Sequence, residues 1–387
     1  MRIFHIEFAK TGNGVSGGET CMIETILSFQ KKGIKNILMT TEHAKSVYTK
    51  IGLIENEFLS YRFIKSSQTE EKYHIFISYL LRTISAVRLV KKTDFESDDV
   101  LLCHSDFFPN SIPSYVAHKK QQKMRLLFWY HLIVPKLFRG FEGAFTNKFY
   151  FPKIRFFHHF LNQKLYEFLI PTGSTVLTPS PYYANMLTNK KYDVHIIKKF
   201  GGAEILKTNF TNQKEYDLVW MGRFQALKGM DHFLNILILA KKTLPNLKVL
   251  VLGGGTLKQN EDFENKVRNF GLINNITFKG FVTGEERFKL LSCGKIFIMS
   301  SIFESYGLVN IEAMSYGLPV IAFDLPVFSV FTKGMIKIPM WDHANFASSI
   351  CLLLTNNEIL KHYQHEALRY SSDHSWTKTA DEILSII

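Results

Sequence analysis

Short apolar runs alternate with amphipathic stretches along most of this chain. That alternation predicts strands and helices taking turns, the layout of a parallel sheet covered by helices. Two such series can be traced. The first opens with a strand over 2–8, a turn through Gly12, Gly14, Gly17 and Gly18, a helix over 19–32 and a strand over 37–41. A helical stretch over 75–91 then leads to strands at 100–104, 125–130, 175–178 and 194–198. The second series begins near Tyr216, with strands at 217–221, 247–252, 276–279, 295–299 and 319–323, and helices such as 230–243 and 285–293 between them. A polar stretch at 200–215, containing Gly201 and Gly202, interrupts the pattern and reads as a hinge. The chain from Asn356 onward reads as helix.

Composition narrows the class. With 387 residues, 46% of them hydrophobic, the chain can bury two cores. The most apolar segment, 75–90, is broken by Arg82 and Arg88, which argues against a membrane-spanning helix. The opening residues hold an early acid, Glu7, and read as a strand rather than a signal peptide. Cys21, Cys103, Cys293 and Cys351 have neither paired nor metal-type spacing, so they read as reduced core residues of a cytosolic protein.

Charge is lopsided. Residues 1–200 hold 28 Lys and Arg against 16 Asp and Glu, a balance of +12, whereas 201–387 hold 19 against 18. A basic half implies an anionic partner, a membrane surface or nucleic acid. The stretch 136–151 interleaves Lys136, Arg139 and Lys148 with Phe138, Phe141, Phe145, Phe149 and Phe151, a mixture suited to a membrane interface. In 154–170 the stripe Phe157, Leu161, Leu165 and Phe168 is expected to be the buried face of a helix. A nucleic-acid-binding protein is the alternative for the charge, and it is disfavoured because no nucleic-acid motif surrounds it.

Two segments carry the chemistry. In 303–314, Phe-Glu-Ser-Tyr-Gly-Leu-Val-Asn-Ile-Glu-Ala-Met, Glu304 sits in a strand-to-helix turn with Gly307 at its tip. Glu312 is expected about two helical turns deeper, facing the same ligand. Such a turn offers unpaired backbone N–H groups at a positive dipole end. In 219–230, Val-Trp-Met-Gly-Arg-Phe-Gln-Ala-Leu-Lys-Gly-Met, a second strand–turn–helix carries Arg223 and Lys228. A guanidinium fork and an ammonium point charge can neutralise a diphosphate. Phosphate at the N–H groups and cations, with sugar hydroxyls at the carboxylates, describes a nucleotide-sugar.

Together these segments, with Gly317-Leu-Pro-Val-Ile-Ala-Phe-Asp324, resemble the donor-binding signature of the retaining glycosyltransferases of family 4 (group 1). The resemblance implies the GT-B fold, an α/β architecture of two Rossmann-like domains facing each other across a cleft. It implies an acceptor-binding domain over 1–200, a donor-binding domain over 201–370 and a helix over 371–387 that crosses back, with Trp376 as its anchor. Arg223 and Lys228 would hold the diphosphate, Glu304 the donor sugar and Glu312 the ribose, with backbone N–H groups of Gly307, Leu308 and Val309 on phosphate or sugar. Gly222 belongs to the same motif. Gly253, in the glycine turn before Lys258, would line the donor pocket, and the backbone at Phe281 and Val282 would hold the base.

In the first half, Gly17 and Gly18 fall where the family places a diphosphate-contacting loop. A dinucleotide fingerprint, Gly12-x-Gly14-x-x-Gly17, is the rival reading, but the ribose acid it needs is missing after the second strand, where Thr40 and Thr41 stand. By resemblance His131 is the functional histidine near the donor sugar. His104 competes with it and, with Asp106, is a candidate for the acceptor side. No Asp-x-Asp occurs, which argues against the metal-dependent GT-A type. The expectation is therefore a metal-independent hexosyltransferase with no cofactor beyond its nucleotide-sugar co-substrate, UDP-sugar being favoured over GDP-sugar. Its acceptor would be a glycan or lipid-linked saccharide of cell-surface polysaccharide or lipopolysaccharide synthesis. It would sit in the cytoplasm at the inner face of the membrane, without a nucleic-acid partner. A noncatalytic binding subunit is the other alternative, disfavoured by the presence of Arg223, Lys228, Glu304 and Glu312 together.

Overall fold

The computed structural model describes residues 1–65, 75–136, 140–141, 154–188, 191–202, 214–282 and 284–387. Within them the chain forms two compact units. One takes in Met1–Gly140, 154–200 and Trp376–Ile387, and the other Phe141 and Gly201–Ser375. The proposed hinge over 200–215 and the aromatic–basic stretch over 136–151 lie largely outside the described residues.

The first unit is built on a seven-stranded sheet of β1 (Arg2–Glu7), β2 (Lys35–Thr41), β3 (Leu59–Ile64), β4 (Val100–Cys103), β5 (Arg125–Trp129), β6 (Thr175–Thr178) and β7 (Asp193–Ile196). All pairs are parallel, in the order β3-β2-β1-β4-β5-β6-β7. Helices α1 (Gly17–Lys31), α2 (Glu42–Lys50), α3 (Ile75–Lys92), α4 (Phe108–Lys120), α5 (Ile154–Leu169) and α6 (Pro181–Leu187) connect the strands. A parallel sheet covered on both faces needs nearly continuous apolar strands. β1 meets this, with Ile3, Phe4 and Ile6 fully buried, except at His5, whose ring is satisfied by Asn36 and His104, and at Glu7, which accepts from the N–H of Ala9 and from Asn110 Nδ2.

The second unit has a six-stranded parallel sheet of β8 (Tyr216–Arg223), β9 (Val249–Gly254), β10 (Ile276–Gly280), β11 (Gly294–Met299), β12 (Val320–Phe323) and β13 (Met335–Ile338). The order is β10-β9-β8-β11-β12-β13. Helices α7 (Met230–Thr243), α8 (Leu257–Asn269), α9 (Gly284–Ser292), α10 (Leu308–Ser315), α11 (His343–Thr355) and α12 (Asn357–Ser371) complete it. Its core joins Trp220 and Phe224 to Phe233, Leu237, Ile298, Phe323 and Phe346. These are two Rossmann-like α/β units.

Helix α13 (Trp376–Ile386) belongs to the first unit. Trp376 is buried and meets Phe200 edge-on with centroids 5.5 Å apart, while Glu382 accepts from the backbone N–H of Lys198 at 2.7 Å.

Two expectations need correction. The stripe Phe157, Leu161, Leu165 and Phe168 is not the buried face of α5. Phe157, Leu161 and Phe168 are exposed and Leu165 half-buried, because the neighbouring stripe of Phe156, Gln163, Tyr166 and Ile170 turns inward. Glu312 also lies nearer the turn than expected. α10 starts only at Leu308, so Glu312 is about one turn into it.

Candidate functional site

In both sheets the strand order reverses between the first strand and a later neighbour, β1 with β4 and β8 with β11. At such a switch point the connecting loops leave in opposite directions, and a crevice opens beyond the carboxyl ends of the strands. The two donor-type segments leave β8 and β11 there, so residues about eighty positions apart in sequence become neighbours.

The second unit locks these loops together. The N–H of Ile302 donates to the carbonyl of Leu227 at 2.9 Å. Ser300 Oγ donates to the carbonyl of Lys228 at 3.0 Å and accepts from the indole N–H of Trp220 at 3.1 Å. Lys228 Nζ then lies 2.6 Å from Glu304 Oε1, which also accepts from Ser301 Oγ at 2.8 Å. Glu304 is 7% exposed. Arg223 is exposed at the end of β8 and has no side-chain partner among the described residues.

The two helices that start at this end lack side-chain caps. α7 opens at Gly229 (φ 66°) and α10 at Gly307 (φ 88°), both left-handed and both without a side-chain hydrogen bond to the first turn. By contrast α1 and α8 have complete capping boxes. First-turn N–H groups left this way, with the positive dipole end behind them, suit an anion. Leu308 and Val309 are the first two residues of α10.

Glu312 is buried, and burial pushes its carboxyl above the usual carboxylate range, opposed by Arg287. Arg287 Nη2 donates to Glu312 Oε1 at 3.0 Å, and its guanidinium lies 4.4 Å from the Phe288 ring centroid. Glu312 Oε2, Arg287 Nε and both side-chain polar atoms of Asn310 are buried without a hydrogen-bond partner among the described residues. Buried polar atoms are normally satisfied, so such a cluster is the mark of a site that a polar ligand completes. Sequence reading missed Arg287 and Asn310. Arg287 follows Glu285 and Glu286 at the start of a helix, and nothing in its spacing distinguishes it from a solvated charge.

Glycine is required nearby by close approach. A Cβ on Gly253 (φ 112°) would lie 2.0 Å from the carbonyl oxygen of Gly222, and one on Gly222 3.1 Å from the Trp220 ring. At the end of β10, Phe281 projects with 71% exposure beside the partly buried Val282. Lys258 lies in the first turn of α8.

In the first unit, Gly17 and Gly18 form the first turn of α1 behind the cap Ser16. The His131 ring lies against Gly18, where a Cβ would be 3.3 Å from its Cδ2, and stacks on Trp129 with centroids 5.1 Å apart. His131 Nε2 is buried without a partner among the described residues, while the ring bonds the backbone of His104. Burial pushes the His131 imidazole down to about 4, so at neutral pH it offers a lone pair rather than a charge. His104 is 2% exposed, with Nε2 2.9 Å from His5 Nδ1 and its pKa far below the usual value through burial. It is an interior residue, which disfavours it as an acceptor contact. Asp106 accepts from Gln163 Nε2 at 3.0 Å, and burial pushes it up to about 6. The Gly12–Gly18 turn is held from beneath by Lys10, an almost fully buried ammonium 3.1 Å from Glu19 Oε1 that also donates to the carbonyl of Gly14.

Residues 203–369, which lie in the second unit, match the family model described as "Glycosyl transferases group 1". The D-inositol 3-phosphate glycosyltransferase of Mycobacteroides abscessus is 29% identical over 177 residues, 44% of this chain and 39% of that protein. The phosphatidyl-myo-inositol mannosyltransferase of Mycobacterium leprae is 25% identical over 174 residues, 44% of this chain and 45% of that protein. The chain thus spans less than half the length of these curated relatives. Among solved structures, the pneumococcal O-GlcNAc transferase GtfA in complex with UDP and GlcNAc superposes with a TM-score of 0.74. That alignment covers 100% of this chain and 98% of that one at 13% identity. The likeness establishes the fold, which is that of the GT-B glycosyltransferases.

The histidine geometry has a testable pH signature. His131 in the folded chain titrates near 4, against about 6.5 when unfolded. Between these values the unfolded chain binds the extra proton, so this group's contribution to stability falls as pH falls from about 6.5 to 4. Urea unfolding at pH 7 and pH 5 should show acidification costing the wild type more than His131→Gln. Equal costs in both proteins would contradict the buried, neutral assignment.

Proposed function

We propose that this chain is a retaining, metal-independent glycosyltransferase of family 4, moving a hexose from a nucleotide-sugar, UDP-linked in preference to GDP-linked, to a saccharide or lipid-linked acceptor. The observation that carries this is the Lys228–Glu304 contact, made where β8 and β11 diverge and next to two uncapped helix starts. The group 1 match over 203–369 supports it.

In this reading the donor diphosphate takes over the ammonium of Lys228 and engages the Arg223 fork and the N–H groups of Leu308 and Val309. Glu304 is then available to accept from hydroxyls of the donor sugar. Glu312, held by Arg287, presents Oε2 to the ribose diol, and the exposed Phe281 ring flanks the base. The bond from the sugar's anomeric carbon to the phosphate oxygen breaks as the acceptor oxygen bonds to the same face of the ring. The departing phosphate oxygen takes the acceptor's proton. Charge developing on the diphosphate is stabilised by preorganised cations and N–H dipoles. The neutral Nε2 of His131 suits a sugar hydroxyl as donor.

The surplus of basic residues in the first 200 positions supports an acceptor at an anionic surface, as in cell-surface polysaccharide or lipopolysaccharide synthesis at the cytoplasmic face of the membrane. No helix among the described residues is long and apolar enough to cross a membrane.

Charge-assisted hydrogen bonds are worth about 1.5–3 kcal/mol. Arg223→Ala and Lys228→Ala should each weaken UDP binding at least about tenfold by calorimetry, with the fold retained. Unchanged affinity in both variants would remove the donor-site assignment.

The two carboxylates should separate kinetically. Glu304→Gln is expected to lower kcat with UDP affinity nearly unchanged, whereas Glu312→Gln should chiefly weaken UDP binding, and EDTA should leave wild-type turnover intact. Equal losses of UDP affinity in both variants would show the roles wrongly divided, and EDTA-sensitive activity restored by magnesium would contradict the metal-independent mechanism.

A further inference from the structure

Helix α3 has its polarity reversed. Its inward positions are Ser78, Tyr79, Arg82, Thr83, Ala86 and Val90. The polar ones among them are held by the protein, with Tyr79 Oη on the carbonyl of Ala9 at 2.9 Å and Arg82 Nη1 on that of Lys10 at 2.6 Å. Its outward positions are Phe76, Ile77, Leu80, Leu81 and Ile84, each between 40% and 52% exposed. A water-facing helix places these classes the other way round.

Helix α5 repeats the arrangement. Asn162 and Gln163 are buried, accepting from the N–H groups of Phe108 at 2.9 Å and Val134 at 2.7 Å, while Phe157, Leu161 and Phe168 face outward. The two helices meet where the Phe76 and His158 rings stand 6.3 Å apart. An exposed apolar surface of this extent marks an interaction site.

Charge identifies the occupant. α3 carries no acidic residue, and its apolar face runs into the exposed Arg88, Lys91 and Lys92; on α5 the exposed Lys164 is paired with Glu167 at 3.1 Å, so the basic flank is that of α3. A second copy would bring the same basic surface against this one and be repelled. An anionic bilayer offers hydrocarbon to the apolar stripe and phosphate to its basic flank, the arrangement of helices that lie in the interface plane.

We propose that the outward faces of α3 and α5 form one insertion surface that seats the first unit on an anionic lipid bilayer. This locates the membrane attachment suggested under the proposed function and requires no assumption about catalysis.

The test is co-sedimentation of the full chain with phosphatidylcholine vesicles and with vesicles containing 30% phosphatidylglycerol, in parallel with UDP calorimetry and light scattering. Wild type should partition at least tenfold better onto the anionic vesicles. Two variants, Ile77→Ser/Leu80→Ser/Leu81→Ser/Ile84→Ser and Arg88→Gln/Lys91→Gln/Lys92→Gln, should each lose at least tenfold while keeping wild-type UDP affinity and circular dichroism. Retained partitioning in both variants, no preference for anionic vesicles, or a wild-type dimer that the apolar variant dissolves would each overturn the proposal. Should wild type bind vesicles but not UDP, the donor-site reading fails and the membrane surface stands.

Discussion

The carbonyl of Ser300 sits against the backbone of Gly229 so closely that a Cβ there would lie 1.9 Å from its oxygen. Everything proposed for the second unit depends on that approach. It is possible only because residue 229 is a glycine with a left-handed backbone, and it is fastened by the Ile302–Leu227 and Ser300–Lys228 hydrogen bonds. With the loops pressed together, Lys228 reaches Glu304 and the starts of α7 and α10 open at the same end of the sheet. Any side chain at 229 would push apart the two halves of the anion site before altering a single charged group.

Electrostatics then pairs each buried carboxylate with a partly exposed cation, Glu304 with Lys228 and Glu312 with Arg287. A phosphate that takes over Lys228 leaves Glu304 with Ser301 and in need of new donors, which sugar hydroxyls can supply. Burial shifts the Glu312 carboxyl toward neutrality, and Arg287 opposes that shift. Removing one member of such a pair strands a buried charge, which typically costs about 3–5 kcal/mol. Arg287 is thus a positioning residue for Glu312, whose remaining oxygen, together with the unpartnered Asn310, gives the site its capacity for directed hydrogen bonds. The first unit uses burial to the same end on a base. It keeps His131 uncharged and so preserves a hydrogen-bond acceptor at neutral pH.

Much of the fold was legible because parallel strands buried on both faces appear as continuous apolar runs and their crossover helices as periodic ones. The helix expected over 230–243 has those limits in the structure. Two edge strands, β3 and β13, were missed. β3 mixes buried with exposed positions and β13 holds a lysine among four residues, so neither reads as a continuous apolar run. The motif residues Arg223, Lys228, Glu304 and Glu312 were legible as chemistry attached to turns. Their partners were not: Arg287 meets Glu312 only through the packing of α9 beside α10's end of the sheet, a contact absent from local spacing. For α3 and α5, periodicity located the helices, but which stripe turns inward depends on the hydrogen bonds that Arg82 donates to, and Gln163 accepts from, distant backbone, and only the folded chain supplies them.

Amide hydrogen–deuterium exchange with and without UDP tests the central claim most directly, because it reads the whole chain without presupposing a residue. If the switch point of the second unit is the nucleotide site, protection should concentrate in peptides covering 222–230, 280–288 and 300–314. The amino ends of the same strands, around Lys214, Lys248 and Thr277, should be unchanged. Protection at those amino ends, or none at the three loops under saturating UDP, would contradict it.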